Sequence, residues 1–154
     1  MLIAIIGESC VGKSTLAIEL NEKLHSKIYT GNEYLKLNKN EEKAKEDFKK
    51  MLNNAVLNDN LIYVISEKAH LSLLPNTAFK ILLNANIDII KERFKNRLHG
   101  NLPMPVEKML ESKHGLFSNI CYDLKIDNSL YDIEDVYLKI LDYKNSLVSK
   151  KEKL

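Results

Sequence analysis

Five short apolar segments are spaced along the chain and read as strands: Leu2–Ile6, Lys27–Thr30, Leu61–Ser66, Phe79–Asn84 and Tyr122–Asp127. The first and third are almost continuously apolar, the pattern of strands covered on both faces. Between them the hydrophobic period lengthens to that of helices. Leu16, Leu20 and Leu24 recur every fourth residue, and Ala44, Phe48, Met51, Leu52 and Ala55 repeat the stripe in the next connection. Ile87, Ile90, Phe94 and Leu98 form a third stripe. Ile133, Val136, Tyr137, Ile140 and Leu141 form the last, with Asp132 as its N-cap and Asp135 at the third helical position. Strands alternating with helices predict an α/β fold, a five-stranded parallel sheet covered by helices on both faces.

One stretch breaks the rhythm. Gly100 to Gly115 holds Pro103 and Pro105, then a short helical patch from Val106 to His114. Pro105 suits the first turn of that patch and Gly115 its C-terminal cap. The stretch reads as an insertion over one end of the sheet, a lid near residues 98–117, with a further binding region near 31–60.

Composition adds limits rather than detail. A length of 154 residues favours a single domain over 1–154 that buries its core without staples. The net charge of +2, from 23 basic and 21 acidic side chains, makes no demand for nucleic acid or an anionic membrane. The lysine-rich tail, Lys150, Lys151 and Lys153, reads as a frayed, solvated end. The apolar run Leu2 to Ile6 is too short for a signal-peptide core, and no stretch approaches a membrane span. Cys10 and Cys121 have no metal-ligand spacing, which fits a reducing, cytoplasmic setting. Of the 23 basic residues only Arg93 and Arg97 are arginines, so an arginine here carries more information than a lysine.

The chemistry is concentrated in Gly7-Glu8-Ser9-Cys10-Val11-Gly12-Lys13-Ser14, a G-x-x-x-x-G-K-S pattern placed directly after a strand and before a helix. That is a P-loop in the context it requires. Its glycines allow a tight wrap, so successive amides, continuing to Thr15, point inward at phosphate oxygens. The following helix adds the positive end of its dipole. Lys13 reaches the β- and γ-phosphates of ATP, and the Ser14 hydroxyl completes the shell of a Mg²⁺ ion. The carboxylate of Glu8 is expected to point away from the phosphates, and Cys10 to fill a small slot. A GTP-binding switch is excluded by the absence of an N-K-x-D motif, since Asn84-Ala85-Asn86-Ile87-Asp88 does not match. An oligomeric ATPase module with its helical extension needs more chain than this.

The order of features resembles the nucleoside-monophosphate kinase-like P-loop kinases, which include adenylate, cytidylate and shikimate kinases. Thr30-Gly31-Asn32-Glu33-Tyr34-Leu35-Lys36 is similar to the T-G-D-x-L-R segment that opens the adenylate kinase acceptor site, with Asn32 and Leu35 in place of its aspartate and arginine. Tyr122 to Asn128 looks like the last strand and the loop that passes the adenine. The resemblance implies transfer of the γ-phosphoryl group of ATP, with Mg²⁺, to a small-molecule acceptor, a nucleotide or nucleoside, by a monomer or homodimer. A shikimate-type metabolite kinase and a non-catalytic ATP-binding regulator are the alternatives.

Arg93 and Arg97, at i and i+4, share a face of the third predicted helix. The resemblance implies that such arginines at the base of the lid contact the nucleotide base and the transferred phosphate. The chemistry agrees, because phosphoryl transfer needs cationic donors around the equatorial oxygens. The plainer reading pairs them with Glu92 or Asp88 on a solvated face. Lys113 is the best-placed cation of the lid, ahead of Lys108, His99 and His114. Two carboxylates compete for the acceptor side. Glu67 follows the third strand, at the sheet end that faces ligands in open α/β folds, and Glu33 follows the second. Either could take a proton from a hydroxyl or hold Mg²⁺ through water.

Overall fold

A computed structural model describes residues 1–153. The five strands form one parallel sheet: β1 (Leu2–Ile6), β2 (Lys27–Thr30), β3 (Leu61–Ile65), β4 (Phe79–Asn84) and β5 (Leu124–Asp127), in the order β2-β3-β1-β4-β5. β1 is central, with Ile5 opposite Val64 on one side and Ile81 on the other. Its residues are all buried, and alternation sends them to two cores. Ile3 and Ile5 meet Leu16 and Leu20 of α1 (Lys13–Leu24), Ile90 of α3 (Ile87–Arg97), and Val136 and Ile140 of α5 (Ile133–Glu152). Leu2, Ala4 and Ile6 meet Ala44, Phe48 and Leu52 of α2 (Glu41–Ala55) on the other face. The apolar stripes in the sequence are therefore the faces that the helices bury, except Leu98, which follows the end of α3 and is exposed.

The caps follow local chemistry. Asn40 accepts from the Lys43 amide at 3.1 Å at the start of α2. Asp132 caps α5 as predicted, accepting from the Glu134 amide at 2.9 Å, one position earlier than Asp135. The interrupting stretch forms α4 (Met104–Lys113), with Pro105 in its first turn and Gly115 beyond its end at φ 80°.

Several boundaries differ from the sequence reading. β3 stops at Ile65, and β5 starts at Leu124 because Asp123 turns back on β4, accepting from the Lys80 amide at 2.8 Å. Two short 3-10 turns, Glu33–Leu37 and Lys68–Leu73, have no periodic signal in the sequence. Lys150 and Lys151 are exposed but helical in the last turn of α5, not frayed; their positive charges suit the negative end of that helix dipole. No helix among the described residues is long and apolar enough to cross a membrane.

Candidate active site

The turn between β1 and α1 is fixed by packing. A Cβ on Gly7 would lie 2.6 Å from Val11 Cγ2 and 2.7 Å from the Leu83 carbonyl oxygen, so only glycine fits against β4. Gly12 holds φ 99°, and Cys10 takes the left-handed region at φ 64°. The Gly7 amide donates to Ile65 O at 3.1 Å and the Leu16 amide to Gly12 O at 3.1 Å. Between them, the amides of residues 8–15 find no partner among the described residues. This run of free donors at a helix start is a cradle for anionic oxygens.

Lys13 lies within the loop at 8% exposure, its ammonium donating to the Glu8 carbonyl oxygen. Burial brings its pKa down from 10.5 to about 8, with Arg97 pushing the same way and Cys10 and Glu8 opposing. A buried cation whose hydrogen-bond partner is one carbonyl is poised to gain from an arriving anion. Burial likewise pushes the Cys10 thiol up, against the smaller pull of Arg97, Lys13 and Arg93, so the group stays a protonated thiol filling its slot. Glu8 is directed away from the cradle. Its carboxylate accepts from the Gly115 amide at 3.1 Å and faces His114 Nδ1 at 3.2 Å, tying the loop to the end of α4.

The two arginines part company. Arg93 donates to the Cys10 carbonyl at 2.9 Å and to Ser129 Oγ at 3.2 Å, clamping the P-loop to the turn after β5. Arg97 is exposed. Neither forms an ion pair with Glu92 or Asp88 among the described residues. Both line a cleft of about 850 Å³ whose other walls are Thr15, Glu19, Asn96, Ser129 and Tyr131. On the opposite side of the loop, a cavity of about 150 Å³ brings together Ser9, Ser66, Glu67 and Lys113. Glu67 and the favoured lid lysine thus share one space beside the P-loop.

Glu33 does not reach it. Its carboxylate accepts from the Thr30 amide at 3.0 Å, closing the turn after β2. Leu35, where the resembling segment carries arginine, packs against the core around Phe48 and Tyr63. That half of the protein is walled by aromatic rings: Tyr34 stacks on Phe48 at 5.2 Å, and Phe48 meets Tyr63 edge-on at 4.9 Å. The lid is docked. Leu110 and Phe117 are buried, and Lys91 of α3 pairs with Glu107 at 3.2 Å and Glu111 at 2.6 Å.

Sequence reasoning missed Ser129. Its hydroxyl joins Arg93 to the loop, and it sits with Asn128 in consecutive left-handed conformations, φ 59° and 53°. The signal was the Asp127-Asn128-Ser129 sequence, a set of residues that bond to their own backbone in turns. No group of three or more His, Cys, Asp or Glu side chains among the described residues could hold a metal ion. The exposed Ser14 hydroxyl at the start of α1 instead fits a Mg²⁺ ion bound chiefly through phosphate oxygens and water.

A P-loop at the end of a central parallel strand, with a cleft on each side, decides the architecture. The fold is that of the P-loop kinases. No family model matches the sequence. A protein of Methanocaldococcus jannaschii named "Putative adenylate kinase" is 29% identical over 155 residues, spanning 92% of this chain and 85% of its own length. The YorR protein of Bacillus subtilis, solved in complex with phosphorylated GDP, superposes with a TM-score of 0.60 at 21% identity over 100% of this chain and 99% of its own. A shikimate kinase from Bacteroides thetaiotaomicron gives a TM-score of 0.54 at 16% identity, covering 99% of this chain and 98% of its own. The resemblance to nucleoside-monophosphate and shikimate kinases found in the motifs thus extends over nearly the whole P-loop kinase fold.

Proposed function

We propose that this chain is an ATP-dependent phosphotransferase that moves the γ-phosphoryl group of ATP to a hydroxyl of a small acceptor of the nucleotide or nucleoside class. The observation that carries the proposal is the pair of cavities flanking the P-loop. The larger is walled by Arg93 and Arg97 and takes the nucleotide; the smaller holds Glu67 and Lys113 and takes the acceptor. In this reading the amides of residues 8–15 and Lys13 hold the β- and γ-phosphates. The Ser14 hydroxyl contributes one ligand to Mg²⁺, which when bound neutralises charge on the phosphate oxygens.

Arg97 supplies charge to the equatorial oxygens as the transferring group leaves the β-phosphate. Arg93, pinned to the loop, presents its guanidinium plane to the base. Glu67 takes the proton of the attacking hydroxyl, and Lys113 steadies the acceptor from the lid. A hydroxyl acceptor is favoured because the acceptor cavity is lined by a carboxylate and contains no arginine fork, and because Leu35 is committed to the core. The protein acts as one domain in the cytoplasm, on small molecules rather than nucleic acid or membrane, as a monomer or homodimer.

A second reading, a nucleoside monophosphate as acceptor, is supported by the name of the archaeal relative and by the Thr30–Lys36 segment. An ADP-release assay across nucleosides, nucleoside monophosphates and hydroxylated metabolites tests both. A hydroxyl acceptor is expected to lose turnover by roughly 10²-fold in Glu67→Gln, the contribution of a general base. Normal turnover of that variant with a nucleoside monophosphate as best substrate refutes the hydroxyl reading. ATP binding with no product from any acceptor refutes the kinase.

A further inference from the structure

The nucleotide cleft is longer than its phosphate cradle. It continues from Cys10, Gly12 and Thr15 along the surface of α1 to Glu19, and is closed there by Tyr131 of the turn before α5. Arg93, Asn96 and Arg97 form one wall, so the cleft is cationic beside the P-loop; its lining also carries two carboxylates, Glu19 and Asp132, the second already capping α5. Glu19 is partly buried, and its Oε2 accepts a hydrogen bond from the Tyr131 hydroxyl at 3.1 Å. Burial, and then that bond, push the tyrosine up to about 12, so it remains a hydroxyl donor at any working pH. The bond immobilises the carboxylate and occupies one oxygen, and no protein donor among the described residues bonds Oε1.

An ionised carboxylate only accepts hydrogen bonds. A phosphate is repelled from it, so its complement is an uncharged donor. Thr15, just after the Mg²⁺-binding serine, marks the end of the phosphate cradle. Glu19 stands four residues further, about 6 Å along the helix at 1.5 Å per residue. The group that follows the α-phosphate at that range is the sugar.

We infer that Glu19, held in place by Tyr131, reads the ribose hydroxyls of the donor nucleotide and makes the site prefer ribonucleoside over deoxyribonucleoside triphosphates. The inference rests on the proposed ATP-binding role of the cleft. Tyr131 is a positioning residue: it aims the carboxylate and stays clear of the phosphates.

Isothermal titration of the full chain with the Mg²⁺ complexes of ATP, 2′-deoxy-ATP, 3′-deoxy-ATP and inorganic tripolyphosphate tests it. Wild type is expected to bind ATP about tenfold more tightly than at least one deoxy analogue, the value of one hydrogen bond to a charged group. Glu19→Ala should bind ATP only as well as that analogue, with tripolyphosphate affinity unchanged. Glu19→Leu serves the same purpose if the alanine variant fails to fold, because it fills similar space and offers the sugar no hydrogen-bonding atom. Tyr131→Phe should reduce the preference without abolishing it, again sparing tripolyphosphate. Equal affinity of wild type for all three nucleotides, or a full preference surviving in the Glu19 variants, overturns the inference while leaving the kinase intact. A wild-type protein that binds neither ATP nor tripolyphosphate overturns the kinase reading, and this one with it.

Discussion

Replacing Lys13 with methionine should make the free protein more stable and abolish its response to nucleotide. The lysine is buried in the loop, with one carbonyl as hydrogen-bond acceptor, and its pKa falls from 10.5 to about 8. At about 1.4 kcal/mol per pH unit, holding the charge there costs the folded state about 3 kcal/mol at neutral pH. Methionine fills similar space without that penalty but loses the bond to the Glu8 carbonyl, worth roughly 2 kcal/mol for a charged donor. The net gain is about 1 kcal/mol, or roughly 2–4 °C in Tm for a chain of this size.

The sign reverses when nucleotide is added. Saturating MgATP at a hundredfold excess over Kd stabilises wild type by about 2.7 kcal/mol, and the variant by almost nothing. Thermal unfolding followed by circular dichroism, with and without MgATP, should therefore give two melting orders that cross. The pH dependence supplies an internal control. Between about 8 and 10.5 the unfolded chain binds the lysine proton and the folded chain does not, so wild-type stability gains on the variant as pH rises through that window. A variant that melts below wild type without nucleotide, or one that keeps the MgATP shift, refutes the account of Lys13 as a destabilised, anion-seeking cation.

Three further outcomes are expected. Bound phosphates should raise the Lys13 pKa again, so ATP affinity is flat below about pH 8 and falls above it, with proton uptake visible as buffer-dependent heat in titration calorimetry; a flat profile to pH 10 contradicts this. Arg97→Lys should lower turnover by roughly tenfold while ATP affinity changes less than threefold, because a point charge replaces a fork at the transferring group; unchanged turnover makes Arg97 a surface residue. Glu8→Ala removes the contacts to His114 and the Gly115 amide and should speed hydrogen exchange across 113–117 roughly tenfold, since a charge-assisted bond is worth at least 1.5 kcal/mol; unaltered exchange means that Leu110 and Phe117 hold the lid alone.

The P-loop was legible in the sequence because its geometry is encoded in consecutive residues. From Gly7 to Ser14 each residue's conformation is set by its neighbours and by two packed strands, so one-dimensional spacing carries three-dimensional information. The same holds for the sheet, whose central strands are apolar throughout because both faces are covered. The i, i+4 spacing of Arg93 and Arg97 put them on one wall, but could not reveal that the first clamps the loop while the second is exposed. That distinction depends on Ser129, more than thirty residues away in the chain.

The two strand-end glutamates were harder to read for a physical reason. Glu33 and Glu67 both follow strands at the ligand-facing end of the sheet, and alternation gives them equal standing. What separates them is one backbone amide: the turn after β2 leaves Thr30 N–H facing Glu33, whose carboxylate closes that turn. Glu67 begins a 3-10 turn without capping it, and so keeps its oxygens for the cavity beside Ser9 and Lys113. A 3-10 turn is too short to leave a hydrophobic period, so neither turn could be foreseen. Glu19 illustrates the same limit from the other side. On α1 it reads as one more solvated helix position until the turn before α5 brings Tyr131 across to meet it. Residues whose role is set by a contact across the fold are silent in sequence.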